Sequence, residues 1–131
     1  MQVLMALSMG VIEFGQFFYI KQTFQGAARD GARAASLSTA AQSDPATAIG
    51  RTLASASVTY NSSWLTITDL TNSPATTVSD VSSVLRGHTL QITVSTNYSQ
   101  LPVAMRPLYA ITRVGIGNGK LISGTCTMVK E

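Results

Sequence analysis

The stretch MQVLMALSMGVIEFGQFFYI, residues 1–20, runs without a break into KQTFQGAARDGARAASLS, residues 21–38. The first part is predominantly apolar, and Glu13 is its one charged residue. About 20 helical residues at roughly 1.5 Å each cross a hydrocarbon core of about 30 Å, so this part is long enough to span a membrane. A secretory signal peptide is the competing reading, but no basic residue stands in front of the segment and no A-x-A-like cleavage site follows it. The second part holds no proline and is dominated by Ala, Gln, Arg and Lys, so the helix is predicted to continue to about residue 38.

Glu13 asks for a partner. A carboxylate near the middle of an apolar helix costs on the order of 2.5 to 3.5 kcal/mol in a bilayer, and such groups are satisfied inside an assembly or a cavity. Lys21 is eight residues on, roughly 12 Å along the axis, too far to reach back on the same helix. A neighbouring copy displaced by that amount brings its Lys21 alongside Glu13, and one displaced by about 18 Å brings its amino terminus. The alternatives within one chain are a hydrogen bond to Gln16 or a protonated carboxyl.

Past Phe24 the apolar content falls, and the helix needs a partner other than lipid. Ala27, Gly31 and Ala35, spaced by four, form a stripe of small residues that another backbone can approach closely. Gly26 and Gly31 each cost about 1 kcal/mol relative to alanine inside a helix, which points to close packing rather than a bare surface. Asp30 and Arg33 are placed to pair at i,i+3.

All four phenylalanines and three of the five methionines lie in the first 24 of 131 residues. The remainder is rich in Ser, Thr, Ala and Val. Nine basic against six acidic residues give a formal charge of +3 with no basic run, so no nucleic-acid footprint is expected. Cys126 is the only cysteine and His88 the only histidine, which leaves neither a disulfide framework nor a ligand set for metal, and no cofactor is expected. Lys21, Arg29 and Arg33 follow the span and would place the rest of the chain in the cytoplasm by the positive-inside rule. The body reads as exported instead, a conflict that disappears if a basic leader once preceded residue 1.

Beyond the long helix the pattern is that of a small α+β body, giving two expected units, residues 1–40 and 41–131. Ser43-Asp44-Pro45 signals a helix start, with Ile49, Leu53 and Ala56 on one face of residues 45–56. Residues 57–70 carry the β-branched and aromatic mixture of a strand, and Thr71-Asn72-Ser73-Pro74 reads as a turn. Residues 77–86 fit a helical period and a strand composition equally. Residues 89–98 alternate Leu90, Ile92 and Val94 with polar neighbours, the clearest period-two segment, and residues 121–129 supply the last strand. Pro102 and Pro107 break the chain between them, and the GIGNGK run from Gly115 fits a turn better than a phosphate loop. An antiparallel sheet of three or four strands with one covered face follows.

No serine sits in a nucleophile elbow, and the Ser, His88, Asp69 and Asp80 that could be drawn into a triad show no convergent spacing, so no enzyme activity is expected. Asn61-Ser62-Ser63 fits a glycan acceptor sequence. Cys126, between threonines, reads as a small buried hydrophobe.

The stretch MGVIEFGQFFYIKQTFQGAARDGARAASL resembles the N-terminal signature of TadE-like pilins, a G-x-x-E-F-G element followed by A-A-R-(D/E)-G-A-R-A-A. The matching residues are Gly10, Glu13, Phe14 and Gly15, then Ala27 through Ala35. The resemblance implies a subunit of the type IV pilin-like superfamily: a long helix that spans the inner membrane before assembly and forms the core of an extracellular filament afterwards. It implies a homo-oligomer, a pilus assembly machinery, a prepilin peptidase and a role in adhesion. Family precursors carry an upstream segment with a processing site and its own Glu-Phe pair, absent here; either the chain is already processed or trimmed, or it is matured differently, and the resemblance does not by itself give Glu13 that glutamate's role. On this reading Glu13, Lys21, Phe14, Phe18, Ala27, Gly31 and Ala35 are the assembly residues. The alternatives are a minor pseudopilin and a single-pass, membrane-anchored binding module.

Overall fold

A computed structural model describes residues 1–41, 43–102, 105–106 and 119–131. Of the proline-bounded stretch 101–107, residues 103, 104 and 107 lie outside these residues, as do residues 115–118 of the glycine run; Gly119 and Lys120 of that run are described, and Gly119 is in a turn with φ of +76°.

Helix α1, Gln2–Ser36, is unbroken over 35 residues, as its lack of proline predicts. Helix α2, Ser43–Ser55, begins one turn before the apolar face starts. The Asp44 carboxylate reaches back to accept from the Ala41 backbone N–H at 2.8 Å, and Pro45 occupies the first turn where its missing N–H costs nothing. The other end of α2 closes with a 6→1 bond from Val58 N–H to Leu53 C=O and a 5→2 bond from Ser57 N–H to Ala54 C=O. That pattern requires a left-handed residue, and Ser57 takes it at φ +60°.

Four strands, β1 Leu65–Asp69, β2 Thr76–Thr77, β3 Thr89–Asn97 and β4 Leu121–Val129, form an antiparallel sheet in the order β2-β1-β3-β4. The fold is α+β. In register, Ile67 faces Ile92, which faces Cys126, and Leu65 faces Val94, which faces Gly124; this rank turns toward the helices. The alternate rank, Thr66 with Thr93 and Thr125, and Thr68 with Gln91 and Thr127, turns outward. Period-two patterning accounts for the division.

Two segments differ from their sequence pattern. Only Leu65–Asp69 of the strand expected at 57–70 are in the sheet: Val58 is committed to closing α2, and the Asn61 side chain caps a 3₁₀ turn at Ser62–Trp64. Residues 77–86 are neither a full helix nor a full strand, because Asp80 accepts from the Ser82 N–H and turns the chain into a 3₁₀ turn, Val81–Ser83, just after β2.

The core lies between the sheet and both helices and takes in Ile20, Phe24, Ile49, Leu53, Trp64, Ile67, Leu90, Ile92, Val94 and Ile122. The C-terminal two-thirds of α1 are therefore part of the body's own core, and the division expected at residue 40 does not separate two packed units. Gly124 makes this possible: a Cβ there would collide with the carbonyl of Phe24 and lie 2.6 Å from Gln25 N, so β4 crosses α1 backbone on backbone. At the same crossing the Gln25 amide donates to the Thr125 C=O at 2.7 Å and accepts from its N–H at 3.2 Å, standing in for a neighbouring strand at the sheet's edge. The chain end clasps the end of α1, with Lys130 Nζ donating to Ala35 C=O at 3.3 Å and Glu131 N–H to Ser36 C=O at 2.8 Å.

A candidate assembly face on the long helix

Helical periodicity sorts the residues of α1 onto two faces. Glu13, Ile20, Phe24, Ala27, Gly31 and Ala35 step by three, four or seven along one line and are all buried, with Phe17 half-buried in the same line. On the opposite side Leu4, Leu7, Val11, Phe14 and Phe18 remain 46–67% exposed, and Tyr19 beside them is also open. Residues 1–8 are exposed all round. The apolar strip from Met1 to Tyr19 is about 28 Å long at roughly 1.5 Å per residue. Phe14 and Phe18 brace each other edge to face, ring centroids 4.9 Å apart, and Phe18 meets Phe17 at 6.1 Å. Gly10 leaves a notch among Leu7, Val11 and Phe14, since nothing lies within 4 Å of where its Cβ would be. Among the described residues this is the one helix apolar and long enough to cross a membrane.

The residues named from the sequence divide between the two faces. Phe14 and Phe18 lie on the open strip, and Lys21 is exposed just beyond it. Glu13 does not lie there. The sequence pointed outside the chain for its enclosure, whereas the body of the same chain encloses it completely. Ala27, Gly31 and Ala35 are likewise occupied from within. A Cβ on Gly31 would lie 2.7 Å from Ile49 Cδ1 and 3.4 Å from Ile92 Cγ2, so the close approach expected of this stripe comes from α2 and β3 of the same chain. The reason is topological: a short α2 and a sheet folding back over α1 meet the stripe before any neighbour can. Asp30, expected to pair with Arg33, accepts from Thr52 Oγ1 of α2 at 2.5 Å.

A second polar constellation escaped the sequence. His88 Nδ1 and Asp69 Oδ2 are 2.6 Å apart, and Asp69 also accepts from Thr71 N–H at 2.9 Å and from Asn72 Nδ2 at 3.0 Å. The His88 hydrogen bond first, then the Thr71 backbone bond, hold the Asp69 carboxyl below the usual carboxylate range against an opposing desolvation. Asp69, Asn72 and His88 border an open cleft of about 340 Å³ together with Thr76, Ser83 and Leu85. The β1–β3 register, which sets Asp69 opposite Leu90, places His88 at the strand end, and Gly87 at φ +85° turns the chain into it. Nothing local links residues 19 apart, so only the register reveals the pair.

Asn61 is exposed, its Oδ1 accepting from Ser63 N–H at 3.0 Å and from Ser63 Oγ at 2.9 Å. Cys126 is half-buried on the helix-facing side of β4. Among the described residues no three His, Cys, Asp or Glu side chains converge as metal ligands would.

No curated protein and no solved structure matches the chain. A family model does: that of the TadE-like protein family, over residues 1–33. The matched residues run from the exposed stem through Glu13 and into the small-residue stripe, and over this N-terminal segment the chain is similar to the TadE-like family.

Proposed function

We propose that the chain is a structural subunit of a Tad-type pilus, held in the inner membrane by its N-terminal helix before assembly and polymerised through it into an extracellular filament. The observation that carries this reading is the open apolar strip Leu4–Leu7–Val11–Phe14–Phe18 on a helix similar to the TadE-like family, whose inward face is filled by the body from Glu13 onward. Burying these side chains against neighbouring stems is worth about 1.5 to 3 kcal/mol gross for each large residue. Head-to-tail contacts between identical stems do not close, and so generate a fibre. A prepilin peptidase and the pilus assembly machinery are the implied partners, and adhesion the implied use.

Electron microscopy of fibres sheared from producing cells, with mass spectrometry of their subunit, tests the reading. The chain is expected in the fibres, and Val11→Asp, on the open strip, is expected to abolish its incorporation while leaving the body folded. A chain that stays in the membrane fraction and never enters a fibre is instead a membrane-anchored binding module.

A further inference from the structure

Three buried groups from distant parts of the chain converge where the body meets the apolar half of α1. Glu13 is 0% exposed, Tyr98 1% and Arg106 6%. The ring of Phe17, one turn on from Glu13, meets the Tyr98 ring edge to face with centroids 5.4 Å apart. The Tyr98 hydroxyl donates to the Met105 carbonyl at 3.1 Å, which brings the residue preceding Arg106 onto the same phenol. That hydroxyl titrates above its usual range, raised first by burial and then by the negative charge of Glu13, and drawn back by the positive charge of Arg106. One phenol thus senses both charges in a place closed to water.

We propose that Arg106 is the counter-charge of Glu13 within the same chain, and that this pair sets the point on α1 where the body stops, leaving Met1–Ile12 as the free stem. Removing a carboxylate from water is costly unless an opposite charge comes with it. A guanidinium suits the task because it keeps its charge at every accessible pH and offers a planar fork of donors. The boundary falls where the pair would put it. From Met1 to Ile12 no residue of α1 is buried, whereas from Glu13 onward the inward line, half-buried at Phe17, is otherwise buried to the helix end. A stem of about 12 residues, roughly 18 Å and without an acidic residue, is then free to pack on lipid or on other stems, the carboxylate that follows it already neutralised. The pairing holds whether or not the chain polymerises.

The test is made on the full chain in detergent. Glu13→Gln and Arg106→Gln are each expected to raise the unfolding equilibrium constant roughly a hundredfold, because each leaves the other charge buried alone. The double variant is expected to be no worse than the poorer single one. Effects that add in the double variant overturn the proposal. A second measurement does not depend on those variants folding: ordinary and ¹⁵N-labelled copies carrying Arg106→Lys are mixed and treated with a carbodiimide, which condenses a carboxylate and an amine in contact. A link from Glu13 to position 106 between equally labelled peptides supports the pair. A link between differently labelled peptides overturns it.

Discussion

Ser57 holds a left-handed backbone at φ +60° in the slot after α2 that most often carries glycine. The conformation strains any residue with a Cβ, by roughly 1 to 2 kcal/mol. Ser57→Gly removes that strain but frees the unfolded chain, and is expected to raise stability by about 0.5 to 1 kcal/mol, read as a shift of the urea midpoint at unchanged slope. Asp69 offers a second measurement at this scale. Its folded carboxyl titrates lower than it does unfolded, so its contribution is complete above the ordinary carboxylate value of about 4. It declines as pH falls through that value and is gone below the depressed one. The melting temperature of the wild type is therefore expected to exceed that of Asp69→Asn at pH 6 and to converge with it as the pH is lowered toward 2. A constant gap across this range would show that the His88–Asp69 bridge does not bear on folding. His88 and Asp69 were both visible as residues in the sequence; their meeting was not, since it depends on how β1 and β3 slide past one another.

The contact of β4 with α1 is the element-scale counterpart. Gly31 and Gly124 both stand where a side chain has no room, yet the obstacles differ. At Gly124 the obstacle is the backbone of Phe24 and Gln25, which cannot yield without moving the helix. At Gly31 it is mainly the end of the Ile49 side chain, which can rotate away. Gly124→Ala is expected to cost on the order of 3 kcal/mol. Gly31→Ala gains about 1 kcal/mol of helix propensity against the cost of moving Ile49 and is expected to stay within about 1 kcal/mol of the wild type. Urea denaturation of the two variants checks the order; equal losses would mean that β4 does not ride on the helix backbone. The tight approach at Gly31 was readable as a spacing of small residues. That the approaching surface belongs to α2 and β3 of the same chain was not, because small residues welcome any close neighbour and do not select one.

At the scale of the whole molecule, α1 does two jobs along its length. Its exposed stem contributes little to the body's core, while its remainder is one wall of that core. Removal of residues 1–12 is accordingly expected to leave a cooperatively folding body that needs no detergent and is monomeric by light scattering. Removal of residues 1–28 takes away Ile20, Phe24, Ala27 and Ala28 and is expected to yield a chain without a cooperative transition. If the shorter truncation also fails to fold, the stem is structural and not an assembly element.

What the sequence determined by itself is whatever local chemistry writes into consecutive residues. The absence of proline through residue 38 carries one helix to Ser36, alternation places β3 and β4 at Thr89–Asn97 and Leu121–Val129, and the EFG and AARDGARAA elements give the N-terminal segment its similarity to the TadE-like family. Tertiary structure alone decided which surfaces of that helix stay free. Periodicity defines a face but not its occupant, and occupancy here follows from the sheet folding back over α1, which encloses Glu13 and the alanine–glycine stripe and leaves the phenylalanines Phe14 and Phe18 open.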